Sequence, residues 1–122
     1  TDVTGFGLLG HLGEMVQASP PGIGVQLDPH RIPAYAGALE LLRAGTASTL
    51  APHNTSALEL LAPQGAIRLR REPDSALWGL LVDPQTCGPL LAAVPAHEAT
   101  ALLGAMAASY FQGAIIGKVD NI

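Results

Sequence analysis

Apolar residues recur along the chain with two periods, one typical of helices and one typical of strands. Residues 8–16 place their apolar side chains on one helical face, at Leu8, Leu9, Leu12, Met15 and Val16. The Ser-Pro-Pro-Gly stretch at 19–22 ends this helix, because proline cannot continue the backbone hydrogen-bond ladder. Residues 23–27 then alternate apolar and polar side chains, which predicts a half-buried strand.

The same two periods continue through the rest of the chain. Three further helical segments are predicted, over residues 33–45, 57–61 and 96–108. We expect the second helix to bury Tyr35, Leu39 and Leu42, and the last helix to bury Ala99, Leu102, Leu103 and Met106. Three further strands are predicted: an edge strand at 66–70, a buried strand at 90–94 and a final strand at 114–119.

Two segments give weaker patterns. Residues 46–56 are small and polar and predict a loop, while the apolar run 77–82 does not distinguish helix from strand. Because strands and helices interleave, the predicted class is α+β or α/β, without a linker long enough to divide the chain into domains.

Composition limits the kind of protein. The 122 residues are 48% hydrophobic and 13% charged, which fits one domain with an aliphatic core. A net charge of −4 with 6 Lys and Arg argues against nucleic-acid binding, which needs a basic surface. No apolar run approaches the ~18 residues of a membrane span, so we expect a cytoplasmic protein. Since the chain starts at Thr1 rather than Met, we expect a piece of a longer protein.

The stretch TDVTGFGLLGHL, residues 1–12, carries the most informative motif. It contains G-x-G-x-x-G at Gly5, Gly7 and Gly10, just where a helix begins. Backbone N–H groups of such a turn can bind phosphate at the positive end of the helix. Two alternatives stay open: glycines at 10 and 13 that only permit close helix packing, and a dinucleotide-binding fold with Asp28 as the ribose-binding acid. The latter requires an apolar strand before the motif, and only Thr-Asp-Val-Thr precedes Gly5.

Asp2 lies immediately before this turn. A carboxylate there can hold Mg²⁺ against phosphate oxygens, because Mg²⁺ prefers one or two carboxylates together with phosphates and waters. The alternative is an aspartate that only caps the turn or the helix.

Other candidate chemistry fails on spacing. Residues 113–119, GAIIGKV, have one residue too few between the glycines of a P-loop, and Val119 replaces its Ser or Thr. The four histidines contain no H-x-x-x-H pair, so a zinc site is not expected, and His11 is expected to pack or hydrogen-bond. Cys87 is the single cysteine, which excludes an intrachain disulfide. No activating base marks it as a nucleophile, so we expect an inert, partly buried thiol.

Two separated motifs resemble one enzyme family. Residues 1–12 resemble the signature that opens the C-terminal domain of selenophosphate synthetases, or selenide, water dikinases. About seventy residues later, LVDPQTCGPLL at 81–91 is similar to that family's second signature, LxDPQTSGGLL. Positions between and after the motifs, among them Ile32, Pro33, Asn54 and Gly117, also fit, so the resemblance covers essentially the whole chain.

This resemblance implies a fold and an organisation. The family is grouped with aminoimidazole ribonucleotide synthetase and thiamine-monophosphate kinase, whose C-terminal domain is a mixed β-sheet covered by helices. Residues 1–122 would form one such C-terminal domain, and an N-terminal catalytic domain outside this chain would pair two subunits into a homodimer. The implied reaction converts selenide, ATP and water into selenophosphate, AMP and phosphate, with Mg²⁺ offsetting the phosphate charge. The implied partners are small molecules and the N-terminal domain, not nucleic acid or a membrane.

The resemblance also assigns site residues. Asp2 matches the aspartate that takes part in Mg²⁺–ATP binding, Gly5 and Gly7 would shape the cleft near the phosphates, and Thr1 and Thr4 would donate hydrogen bonds. No catalytic residue is expected in this chain, because the family's reactive Cys or selenocysteine and its essential Lys belong to the N-terminal domain.

Cys87 and Lys118 are therefore neither the reactive cysteine nor the essential lysine. Cys87 and Pro89 depart from the Ser and Gly of the family pattern, and Pro89 removes one N–H donor. Alternatives to this assignment are another ATP-dependent enzyme of the same superfamily, a stand-alone binding module without catalysis, and the dinucleotide-binding oxidoreductase.

Overall fold

The computed structural model describes residues 1–62 and 64–122. The elements of this part follow one another as α1 (Gly7–Gln17), β1 (Ile23–Leu27), a 3₁₀ turn (Pro29–Arg31), α2 (Ala38–Arg43), α3 (Ala51–Leu61), β2 (Ile67–Leu69), α4 (Ser75–Val82), α5 (Ala99–Ala108) and β3 (Gly117–Asn121).

The three strands form one mixed sheet in the order β2-β1-β3. The central strand β1 runs parallel to β2 and antiparallel to β3, so that Val25 lies opposite both Ile67 and Val119. The crossover from β1 to β2 contains α2 and α3. The predicted mixed sheet with helices, and thus the α+β class, is confirmed.

Helix α1 lies at the centre of the packing. It contacts α3, α4 and β1, while α2 packs against α4. Gly13 lets α1 approach α3, since a Cβ there would lie 2.7 Å from the carbonyl oxygen of Leu61. The interpretation of Gly13 as a packing glycine therefore holds. The buried cluster contains Val3, Leu8, Leu9, Leu12, Val16, Val25, Leu27, Ala51, Ala66, Leu81 and Val82.

The strongest periodic segments have the predicted structure. The helix over residues 8–16, the strand over 23–27 and the strand within 66–70 are present as α1, β1 and β2. The undecided run 77–82 is helical, as part of α4, whose first turn is capped by the Asp74 carboxylate accepting a hydrogen bond from the Leu77 N–H at 2.8 Å.

Two predictions in the crossover are wrong. The helix expected from Pro33 begins only at Ala38, because Gly37 adopts a left-handed conformation with φ of 85° at its start. Tyr35 consequently lies outside the helix and is 91% exposed. The loop expected over residues 46–56 is helical from Ala51 onwards, with Pro52 in the first turn, where its missing N–H has no cost.

The C-terminal third departs most from the prediction. Residues 90–94 form no buried strand; Leu90 makes a single bridge to Asp2 and is 74% exposed. Helix α5 forms where expected, but none of its residues is buried, and Leu102 is 42% exposed. The last strand begins at Gly117, three residues later than Ala114. Within the described residues, no helix has the length and apolar character needed to cross a membrane.

Candidate functional site

The two sequence motifs meet in the fold. Residues 1–3 run alongside residues 89–91, and backbone hydrogen bonds join them: Val3 N–H donates to Pro89 O at 2.9 Å, Leu91 N–H to Thr1 O at 2.8 Å, and Thr1 N to Leu91 O at 2.9 Å. We call residues 1–7 and 83–91 the motif junction. It connects stretches about eighty residues apart through main-chain atoms.

Close backbone approach disfavours any side chain at two glycines of the junction. A Cβ at Gly88 would collide with the carbonyl oxygen of Val3. Gly7 has φ of 69°, and a Cβ there would lie 2.8 Å from the carbonyl carbon of Val82. The Thr4 carbonyl accepts hydrogen bonds from Gly7 N–H at 3.0 Å and Gln85 N–H at 3.1 Å. The requirement for glycine at these two positions thus follows from the fold itself.

Asn54 of α3 fastens the junction to the core. Its buried side-chain amide donates to the carbonyl oxygens of Gly5 and Val82, both at 2.8 Å. A helix that carries one polar residue among Ala51, Leu58 and Leu61 presents that residue to the core by its i, i+3, i+4 spacing. This spacing could have predicted that Asn54 faces the core, but it was not recognised because residues 46–56 were predicted to form a loop.

Thr4 belongs to a short chain of hydrogen bonds. Its hydroxyl lies 3.0 Å from His11 Nε2, and His11 Nδ1 lies 2.8 Å from Glu14 Oε2. His11 is buried, whereas Glu14 reaches the surface. The expected packing and hydrogen-bonding role of His11 is confirmed, and the chain fixes the orientation of the Thr4 hydroxyl.

Asp2 and Gly5 are the open positions of the junction. Asp2 has an exposed side chain, and its carboxylate makes no hydrogen bond or ion pair with the described residues, although its backbone is held by the bridge to Leu90. Gly5 is exposed, and among the described residues no atom lies within 4 Å of a Cβ built there. The junction is thus rigid in its backbone and accessible at these two residues.

A second carboxylate, Asp83, lies at the inner edge of the junction. Partial burial raises its pKa above the ordinary 3.8, although Gln85 Nε2 donates a hydrogen bond to Asp83 Oδ2 at 2.7 Å. In the sequence, Asp83 stands out only as part of the second motif. Its altered pKa depends on packing, which has no local sequence signal.

Asp28 does not have the arrangement of a ribose-binding acid. Its buried carboxylate faces Arg71 Nη2, at 3.1 and 3.2 Å, and accepts the N–H of His30 at 3.2 Å. Burial opposes the charge of this carboxyl, but the contacts with Arg71, the His30 N–H and the charge of Arg70 together outweigh it and lower the pKa. In the described residues no strand precedes α1, so the strand-turn-helix unit of a dinucleotide-binding fold is missing.

The two departures from the family pattern fit the junction. Pro89 contributes only its carbonyl oxygen, and the neighbouring N–H donor is that of Leu91, so the proline does not remove a bond of this pairing. Cys87 is a free thiol, but the prediction that it is partly buried is wrong, because its side chain is exposed. Lys118 lies on β3, where its ammonium is 2.8 Å from Asp120.

Whether the described residues could hold a metal ion depends on how many ligands they bring together. Among the described residues no group of three His, Cys, Asp or Glu side chains could hold a metal ion. The unpaired Asp2 carboxylate offers the single ligand that a Mg²⁺ needs when phosphates and waters complete its shell.

Comparison with known proteins places the chain in a family. Residues 1–121 match the family described as "AIR synthase related protein, C-terminal domain". The chain belongs to this family. It is similar to a "Selenide, water dikinase" of Pelobacter propionicus, with 41% identity over 120 residues covering 98% of this chain and 32% of the relative. A protein of the same name from Myxococcus xanthus is 40% identical over 125 residues, again covering 98% and 32%.

Escherichia coli K12 has a further relative of that name, 40% identical over 94 residues, which cover 77% of this chain and 24% of the relative. The chain spans about a third of the length of the first two relatives. The resemblance to selenophosphate synthetases found in the two motifs is thereby confirmed.

Proposed function

We propose that this chain is the C-terminal domain of a selenophosphate synthetase and forms one wall of its Mg²⁺–ATP site. The observation that carries the proposal is the motif junction, in which rigid backbone presents an unpaired carboxylate at Asp2 and open space at Gly5. The relatives' name, selenide, water dikinase, supports the proposal, and the reaction would convert selenide, ATP and water into selenophosphate, AMP and phosphate.

Each site residue has a distinct part in this proposal. Asp2 would provide a carboxylate oxygen to Mg²⁺, which lowers the negative charge around the reacting phosphates when bound. Gly5, without a side chain, would let phosphate oxygens approach the turn. Thr1 would donate a hydrogen bond. The Thr4 hydroxyl has one proton, which His11 Nε2 accepts at 3.0 Å while Glu14 accepts the Nδ1–H of a neutral His11, so Thr4 would donate to a phosphate only when His11 carries both ring protons. Gly7 would act indirectly, by allowing the turn to form against Val82.

The covalent steps would take place on residues outside this chain. We propose that the nucleophile and the essential lysine belong to an N-terminal domain of the same polypeptide, and that two such polypeptides form a homodimer in the cytoplasm. The share of the relatives that this chain covers, about a third, supports the larger protein. The exposed apolar side chains expected on a separated domain are present, among them Leu90, Leu102 and Phe111.

The test is Asp2→Asn in the full-length protein. The variant keeps the size of the side chain but loses its charge, so we expect selenide-dependent AMP formation to fall by about a hundredfold or more, with a higher Mg²⁺ requirement and unchanged thermal unfolding. The matched control is Glu98→Gln, a change of an exposed carboxylate outside the junction. Unchanged turnover and unchanged Mg²⁺ dependence in Asp2→Asn would remove Asp2 from the site.

A second variant tests the open space at Gly5. Because an added methyl group meets no described atom, Gly5→Ala should fold normally while raising the KM for ATP.

The products formed from ATP by the unaltered full-length protein separate the alternative functions. ADP instead of AMP would indicate another ATP-dependent enzyme of the superfamily, and no ATP turnover would favour a binding module.

A further inference from the structure

The positively charged side chains of this acidic protein are gathered on one face of the sheet. The chain has 6 Lys and Arg residues. Five of them lie on or beside this face, at Arg31, Arg68, Arg70, Arg71 and Lys118. The sixth, Arg43, pairs with Asp74 at 3.4 Å and belongs to α2.

Strand register explains why these cations come together. Gln26 of the central strand is flanked by Arg68 on one side and Lys118 on the other. Side chains two residues apart project from the same face of a sheet. Asp28 and Arg70 therefore follow Gln26 and Arg68 on that face, and the sheet presents a continuous polar surface.

A concavity of about 540 Å³ lies at this surface. Its lining includes Gln26, Asp28, Arg31, Arg70, Lys118 and Ile115. Small-molecule sites in proteins occupy roughly 300–1,000 Å³, so the concavity has the capacity for a small ligand. Two guanidinium groups, one ammonium group and one amide converge on it.

The charge balance favours an anion. Three cations and one carboxylate, Asp28, line the concavity. Asp28 is already engaged by Arg71 through both of its oxygens, and Lys118 is held by Asp120 outside the lining at 2.8 Å, so the excess positive charge is that of Arg31 and Arg70. Arg70 lies 4.0 Å from Asp28, at the limit of an ion pair. Arg31 forms no ion pair with any described residue. Two guanidinium groups therefore retain most of their hydrogen-bonding capacity.

We infer that this concavity, here called the sheet-face site, binds a phosphate group of a small soluble molecule. Guanidinium groups match phosphate geometry because they donate two parallel hydrogen bonds to its oxygens. The aliphatic side chain of Ile115 provides one apolar contact for the rest of the ligand. No aromatic residue lines the concavity among the described residues, which disfavours a single-stranded nucleic acid that would stack its bases.

The sheet-face site is independent of the proposed function. It shares no residue with the motif junction, and its cations lie on the 3₁₀ turn, directly after β2 and on β3. Loss of Asp2 would leave it unchanged, so the two proposals fail or succeed separately.

The test is calorimetric titration of the full-length protein with inorganic pyrophosphate at fixed ionic strength. The double variant Arg31→Gln/Arg70→Gln removes two exposed guanidinium groups, and we expect one component of the isotherm to weaken by roughly tenfold or more. Arg43→Gln makes the same kind of charge change outside the site and should leave every component within about twofold of the unaltered protein.

A variant in the opposite direction sharpens the test. Asp120 holds the Lys118 ammonium at 2.8 Å, so Asp120→Asn frees that cation and should tighten the same component severalfold. An isotherm that the double variant leaves unaltered would overturn the inference. A weakening reproduced by Arg43→Gln would overturn it as well, because general charge attraction would then account for the binding.

Discussion

The residues up to Val82 and the residues after it are built in different ways. Every fully buried apolar side chain of the described structure lies between Val3 and Val82. From Asp83 onwards none of the described residues is buried, although α5 consists almost entirely of apolar residues. The first region is stabilised by its own core, whereas the second is held to it by main-chain hydrogen bonds at the motif junction and along β3 and by the partly buried side chains of Leu91 and Ile116. A helix can therefore be apolar in sequence without taking part in the core of the chain that carries it.

The largest effect should separate two leucines of these regions. Leu81 is 0% exposed and Leu102 is 42% exposed. Leu81→Ala should lower the free energy of unfolding by about 2–5 kcal/mol, because a cavity remains in a packed core. Leu102→Ala should change it by less than about 1 kcal/mol. Urea unfolding followed by the fluorescence of the single tryptophan, Trp78, measures both; equal losses would contradict the division into two regions.

A smaller loss should follow from breaking the connection between the regions. Gly88→Ala places a methyl group against the Val3 carbonyl, and relieving that overlap should cost about 1–3 kcal/mol. The matched control is Gly104→Ala in α5, where no described atom lies within 4 Å of the new Cβ. Because alanine restricts the unfolded chain, this control should gain about 0.5–1 kcal/mol. A Gly88→Ala protein as stable as its parent would show that the junction does not hold the second region.

The smallest effect is a pair of opposite pH dependences. The Asp28 pKa is lowered, so its stabilisation is present above the ordinary 3.8 and is lost as the pH falls below that value towards the folded-state pKa. The Asp83 pKa is raised, so the folded protein binds a proton more readily than the unfolded chain, and stability attributable to Asp83 is lost as the pH rises above 3.8 through the folded-state pKa.

Unfolding titrations between about pH 3 and pH 6 test both directions. Asp28→Asn should lower the free energy of unfolding most at the upper end of this pH range. For Asp83→Asn, the free energy of unfolding relative to the unaltered protein should instead rise as the pH increases. Parallel pH profiles for the two variants would contradict the different environments of these carboxylates.

The part of the fold that can be predicted from the sequence also differs between the residues up to Val82 and those after it. Helix α1 and strand β1 bury one face against their own region, so their periodicity reports their structure directly. The apolar residues of 90–94 and α5 suggested burial, yet burial requires a partner surface that the described residues do not provide. The helical turn predicted over 57–61 is the second half of α3, but local pattern missed its first half. His53, Asn54, Thr55 and Ser56 are poor helix formers, and only the contacts of Asn54 explain a polar residue facing inward.

The candidate site was accessible to sequence reasoning in a different way. Asp2 and the glycines were identified from the turn that they form and from the family resemblance, both of which are local. The pairing of residues 1–3 with 89–91 is long-range and uses only main-chain atoms. The side chains of these residues therefore give no pattern from which the pairing could be predicted. The sheet-face cations were likewise invisible, since their clustering depends on the register of three strands.

The main-chain character of the motif junction bears on how such proteins can diverge. Where two segments pair through main-chain N–H and carbonyl groups, the pairing does not require particular side chains at most positions. Substitutions such as Cys87 and Pro89 therefore leave the geometry of the pairing intact. Three positions depend on the identity of their residue: Gly7 and Gly88, which permit close approach, and Asn54, whose amide donates to Gly5 and Val82. Distant homologues should therefore be recognised more securely by these three positions than by the length of matching sequence around them.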